Sequence, residues 1–174
     1  MIVVSDTTPL ISLMKIRHLD LLEKYFGEVQ IPEAVFHELT ANTRFTDEAE
    51  QIRNCPFIHI VKVKDYKSVN LLRRATGLDL GESEAIVLSD NIQADLLLMD
   101  EAKGRDVAEQ MQIRIMGTIG FLMASYQNGN IATEEIKQCI EILRDSGRHI
   151  GEKYLQMLLQ QIDSNFDSNA DNTI

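Results

Sequence analysis

Four carboxylates stand where a half-buried cation site would need them: Asp6, Glu38, Glu82 and Asp100. Asp6 and Asp100 each follow an uninterrupted apolar run, Ile2–Val4 and Leu96–Met99, of the kind that forms a strand buried on both faces. Glu38 lies one turn beyond Ala34 and Val35, at the margin of a helical apolar stripe. Glu82 precedes Ala85 and Ile86 by three and four residues, so it shares their inward stripe. Carboxylates aimed at a common, partly buried region repel one another, and each loses hydration unless a cation is shared. The cation suited to an all-oxygen acidic site is a hard divalent ion, Mg²⁺ or Mn²⁺.

Each acid also has a plain structural reading. Asp6 is equally suited to the turn at a helix entrance. Glu82 is the third residue of a capping box with Asp79 at the N-cap. Glu38 alone would be a solvated helix residue, and Asp100 an N-cap for the helix that follows it. The repeated placement of acids at strand ends and helix starts favours the cation reading, because open α/β sheets bind ligands outside the carboxyl ends of their strands.

The elements that must position these residues alternate between two periodicities. Strands are expected at Ile2–Val4, Glu28–Ile31, Phe57–Val63 (as an edge strand), Leu96–Met99 and Ile113–Met116. Helical stretches follow from Leu10, from Leu19 to Gly27, and from Pro32 to about Asn42. Further helices are expected at Phe45–Arg53, Ser68–Ala75, Leu80–Ser89, Ala102–Met111, Gly117–Tyr126, Thr133–Leu143 and Gly151–Ile162. Thr8 and Pro9 read as N-cap and first helical residue, and Pro32 as the first residue of the third helix. This alternation predicts a three-layer α/β/α sandwich on a mainly parallel sheet, with C-terminal helices added. One domain over 1–162 is expected, followed by a disordered acidic tail over 163–174 that carries three Asp and no cation.

The chain has 174 residues and a net charge of −10, which works against binding a polyanion. The charge is segregated, however: between Gln51 and Thr76 there are six cations and one anion. Within that stretch Lys62, Lys64, Arg73 and Arg74 are candidate contacts to a phosphate backbone, joined from outside it by Arg105. The two cysteines and four histidines have no metal-ligand spacing. The N-terminus reads as a strand and not as a signal peptide, and no apolar run reaches the roughly 20 residues that span a bilayer. A cytoplasmic protein is expected.

Taken in order, Val4-Ser5-Asp6-Thr7-Thr8-Pro9-Leu10-Ile11, Ile31–Val35 with Glu38, Leu80-Gly81-Glu82-Ser83-Glu84-Ala85-Ile86, Leu97–Glu101 with Arg105, and Gly117–Leu122 carry a resemblance. The chain resembles the PIN-domain ribonucleases, in a branch similar to VapC-type toxins. The resemblance implies an acidic cleft that binds Mg²⁺ or Mn²⁺ and hydrolyses RNA phosphodiesters. Asp6, Glu38, Glu82 and Asp100 match the four acids, with Asp6, Glu82 and Asp100 as metal ligands and Glu38 and Glu101 as further candidates. Thr7 or Thr8 matches the supporting hydroxyl. A cognate antitoxin protein and a homodimer are implied as partners. Two departures stand out: Glu101 replaces an Asp found in many relatives, and Gly104 inside a helix is expected to loosen it. The alternative is a weak or inactive PIN-like module that binds RNA or a partner protein.

Overall fold

The structure is a computed structural model, and it describes residues 1–41 and 46–146 together with positions 156, 159, 160 and 162. The expected helix from Gly151 falls almost wholly outside the described residues, and the tail from Asp163 does so entirely. The chain divides into two compact units, Met1–Thr118 and Ile119–Ile174.

The first unit holds a five-stranded sheet of β1 (Val3–Ser5), β2 (Val29–Pro32), β3 (Ile58–Val61), β4 (Leu96–Leu98) and β5 (Ile115–Met116). Its order is β3-β2-β1-β4-β5, and every pairing is parallel. Central strands β1 and β4 are buried at every position, as their unbroken apolar runs require. Edge strand β3 leaves Ile60 49% exposed, which explains its imperfect alternation. From β1 the chain steps outward to β2 and β3, then returns to the other side of β1 to lay down β4 and β5. The direction of winding therefore reverses between β1 and β4. Asp6 and Asp100 follow the carboxyl ends of these two strands, on either side of the switch point where such sheets bind ligands.

Among the described residues the first unit's helices are α1 (Thr7–Lys15), α2 (Leu21–Phe26), α3 (Glu33–Ala41), α4 (Thr46–Arg53), α5 (Tyr66–Thr76), α6 (Leu80–Asn91) and α7 (Ala102–Gln110). In parallel sheets such crossovers are right-handed as a rule, which is expected to separate the helices between β1 and β3 from α6 and α7. Helix α6 packs on β1, β2 and β4 and touches α3, α5 and α7. Its Ala85, Ile86, Val87 and Leu88 join Val4, Leu97 and Met99 in the core.

Two helix starts differ from expectation. Helix α1 begins at Thr7 with Asp6 at the N-cap, so Thr8 is not the cap and Pro9 sits third in the helix. Pro is tolerated there because the first four N–H groups of a helix have no intrahelical acceptor. Pro32 ends β2, so α3 opens one residue later at Glu33.

Gly104 also has a different meaning from the loosening expected. It is buried in α7, and a Cβ added there would collide with the Met99 sulfur. The missing side chain lets α7 settle on the end of β4. Gly104→Ala is expected to destabilise the fold by roughly 1–3 kcal/mol through overpacking, in spite of alanine's better helix propensity. Urea denaturation would measure this, and Met99→Ala in the same chain should restore part of the stability.

Helix α8 (Thr118–Gln127) leads into the second unit, which contains α9 (Thr133–Asp145). Its apolar stripes are consumed by packing: Phe121, Leu122, Ile136, Ile140 and Leu143 are buried, while Ile142 is exposed. Among the described residues, no helix is long and apolar enough to cross a membrane.

Candidate active site

Asp6 is held by the sheet on one side and the first turn of α1 on the other. Its N–H donates to the Leu98 carbonyl at 2.9 Å, extending the β1–β4 pairing one residue beyond the strand. It occupies the N-cap position, yet its carboxylate makes no capping bond. The side chain is left to face the rim. Only 2% of Asp6 is exposed, and burial pushes its carboxyl up to about 7, with Glu82, Asp79 and Glu38 adding repulsion. The Thr7 backbone N–H pulls the other way.

Glu38 comes from α3 and reaches across the rim. It accepts a short hydrogen bond from Thr7 Oγ1. The Thr8 carbonyl accepts from Ser12 Oγ at 3.0 Å. Partial burial raises the Glu38 carboxyl above its ordinary value; the Thr7 bond opposes that rise and Asp79 reinforces it. The Glu38 carboxylate lies over Gly81: a Cβ on Gly81 would sit 2.5 Å from its Oε1 and 2.9 Å from its Oε2.

Glu82 does form the capping box. Its N–H donates to Asp79 Oδ1 at 2.8 Å, and its Oε2 accepts from the Asp79 N–H at 2.9 Å. The structural reading and the site reading are compatible, because the box itself stands on the rim. Burial raises the Glu82 carboxyl, and Asp79, Glu101 and Glu38 repel it further.

Asp100 is not the cap of α7, a position that Glu101 takes without a side-chain bond. Its carboxylate turns to the start of α8, accepting the Thr118 N–H at 2.7 Å and Thr118 Oγ1 at 2.6 Å. Gly117 makes room for this. A Cβ there would lie 3.1 Å from Asp100 Oδ1 and 2.6 Å from Arg105 Nη1. Arg105 is half-buried and donates to the Met99 carbonyl at 3.4 Å. Lys62, Lys64, Arg73 and Arg74 are all exposed.

The fold therefore brings Asp6, Glu38 and Glu82 into mutual repulsion, with Glu101 close enough to act on Glu82. Two further acids carry no site reading in the sequence. Asp79 repels all three central acids; its sequence signal, an N-cap three residues before Glu82, points only to capping. Glu84 is 7% exposed and accepts the Ala34 N–H at the start of α3 at 3.1 Å. It ties the helix that carries Glu38 to the helix that carries Glu82.

Among the described residues no three His, Cys, Asp or Glu side chains are gathered as a ready metal cage. Glu38, Glu82 and Asp100 are each turned toward a hydrogen-bond donor. The donor set nevertheless fits a hard divalent cation: the groups are all carboxylates, and three of them are raised by burial and mutual repulsion. A cation removes both penalties at once. Each bonded oxygen also keeps a second lone pair.

An all-parallel sheet with buried and half-buried acids around its switch point defines an α/β domain with an acidic ligand rim. The family model described as DUF3368, a PIN domain, matches residues 2–164, and the chain belongs to this PIN-domain family. PIN domains have a nuclease fold and are generally metal-dependent ribonucleases. A comparison with curated proteins gives no match.

Proposed function

We propose that the protein is an Mg²⁺- or Mn²⁺-dependent endoribonuclease and the toxin of a toxin–antitoxin pair. The observation that carries the catalytic reading is Asp6, a nearly buried carboxyl pushed up to about 7 with no capping role and three acids beside it. A fold keeps such a group at a cost, and a shared cation is what offsets it.

In this reading Asp6, Glu82 and Asp100 would hold the ion, with Glu101 and Asp79 adding negative charge beside them. A divalent ion bound there supplies Lewis-acid polarisation of a phosphoryl oxygen and lowers the pKa of water. Glu38 orients the attacking water and takes its proton. Burial holds its carboxyl above the ordinary value, and the Thr7 hydroxyl fixes one of its oxygens. The capping box keeps the Glu82 backbone at the rim. Thr118 fixes the Asp100 carboxylate in one orientation. RNA enters single-stranded, since an open rim reaches the backbone of a splayed strand. The toxin role brings with it a cognate antitoxin that covers the acidic rim, and a homodimer.

The test is cleavage of single-stranded RNA in Mg²⁺ or Mn²⁺ together with calorimetric titration of each ion. Glu82→Gln is the informative variant, because the amide oxygen can still accept the Asp79 N–H and keep the capping box. Cleavage is expected to fall at least ~10²-fold and metal affinity to drop, with thermal stability held. A wild-type chain that binds neither ion would overturn the mechanism. Metal binding without cleavage of any RNA would leave the non-catalytic binding module as the better account.

A further inference from the structure

We propose that the concavity at the carboxyl-terminal end of α5, with Arg73, Arg74 and Lys103 around it, is a docking site for the RNA phosphates that flank the bond being cut. The inference takes its ligand from the ribonuclease reading and adds to it a site and, in Lys103, a residue.

The concavity has a volume of about 570 Å³ and, among the described residues, is lined by Asn70, Arg73, Arg74 and Leu78. That is room for a nucleotide-sized group. Its position follows from the connectivity. Helix α5 begins after the carboxyl end of β3 and ends just before Asp79, the cap of α6 that faces Asp6, Glu38 and Glu82. The end of α5 therefore lies on the same rim as the acids. Lys103 arrives there from the first turn of α7, just beyond the carboxyl end of β4. Its Nζ stands 3.1 Å from where a Cβ on Gly77 would be, next to Leu78 of the concavity. Tertiary folding thus brings a cation of α7 to the glycine that ends α5, one residue before Leu78 of the concavity.

All three cations are exposed, and among the described residues none of them forms an ion pair. Arg74 is held along α5 by its Nε bond to the Asn70 carbonyl at 3.3 Å. A structural role is available for part of this: cations in a helix's last turn interact favourably with its C-terminal carbonyls. That accounts for Arg73 and Arg74 but not for Lys103, which belongs to another helix. A strand approaching an acidic rim on a chain of net charge −10 meets repulsion. Cations immediately beside the acids offset it and set the direction in which the strand leaves the site. Phosphate binding of this kind is independent of base sequence.

That independence makes the site testable without knowing the target RNA. The full chain carrying Glu82→Gln, to prevent cutting, is titrated with a labelled oligouridylate in Mg²⁺, and anisotropy is followed against salt. Adding Arg73→Gln and Lys103→Gln is expected to weaken binding at least ~10-fold and to flatten the salt dependence by about 0.7 for each phosphate that is no longer neutralised. Lys15→Gln, at the far end of α1, removes one charge away from the rim and should change neither. Unaltered affinity and slope in the double variant, or an equal effect from Lys15→Gln, overturns the proposal, as does a parent chain that binds no oligouridylate. Preferential binding of polyglutamate, abolished in the same variant, would also overturn it by assigning the concavity to an acidic protein segment. Docking that depends on Arg73 and Lys103, in a wild-type chain that cuts no RNA, would uphold the site while removing the ribonuclease reading. Cutting with unaltered docking would do the reverse.

Discussion

Asp6→Asn is expected to stabilise the protein at pH 8 while abolishing RNA cleavage. Burial of the carboxyl raises its pKa from 3.8 to about 7. Because the folded value lies above the unfolded one, the stability contributed by the protonated acid is fully present below pH 3.8 and is lost as the pH rises to about 7. At about 1.4 kcal/mol per pH unit between the two values, the ionised carboxylate costs the metal-free fold on the order of 4 kcal/mol at pH 8. A neutral amide escapes most of that cost and gives some back in its own desolvation. For a chain of this size each kcal/mol moves Tm by roughly 2–4 °C, so the variant should melt several degrees above wild type at pH 8. The two should converge near pH 4. Mg²⁺ or Mn²⁺ should raise the Tm of wild type and not that of the variant, and cleavage should fall ~10³-fold. Thermal melts between pH 4 and 8, with and without metal, measure the stability effects, and an RNA cleavage assay measures the rest. A variant no more stable than wild type at pH 8 would mean that the carboxylate is not under strain from burial, and the case for a cation there would fail.

Gly81→Ala separates geometry from stability in a different way. Gly81 is the second residue of α6, where alanine is the better helix former by roughly 1 kcal/mol. The added Cβ meets Glu38 Oε1 at 2.5 Å, at the free end of a flexible side chain, so the backbone has no reason to move. The carboxylate must swing away, and its bond from Thr7 is broken or lengthened. Displacing a water-orienting group by about 1 Å costs on the order of 10²-fold in rate. The expected result is a chain as stable as wild type or slightly more so, with metal binding through Asp6 retained and turnover reduced ~10²-fold. Glu38→Gln in the same assay should lose turnover to a similar degree, and combining the two changes should add little. If Gly81→Ala retains full turnover in a chain that cuts RNA, Glu38 is not the base.

Asp6 and the seat of Glu38 differ greatly in how visible they are before folding. Asp6 is legible at once, because a β-branched strand that stops at an acid marks a sheet rim. Its freedom from capping has a different origin from the one the local pattern suggests. Thr8 does not cap α1; Asp6 holds the cap position itself and withholds its carboxylate. Both routes leave the side chain for the rim. For Glu82, capping and site readings compete in the sequence, and the fold makes them one arrangement. The choice between Asp100 and Glu101 at the end of β4 is open in the sequence. The structure gives them different surroundings: Asp100 bonds Thr118 through both oxygens, while Glu101 adds charge beside Glu82.

Reading along the chain is enough to give the alternation of strands and helices, the all-oxygen character of the donors, and the family to which the chain belongs. These are legible because apolar periodicity, turn residues and side-chain chemistry are properties of neighbouring positions. The strand order, and hence the switch point between Asp6 and Asp100, exists only once the chain has folded. So do the tie from Glu84 to α3, the seat of Glu38 on Gly81, and the meeting of Lys103 with the end of α5. Each of these joins residues tens of positions apart, and no local period encodes which distant partner a side chain will meet. The energetic character of the site has the same origin: a carboxyl titrates near 7 only after the fold has removed it from water and set other acids against it.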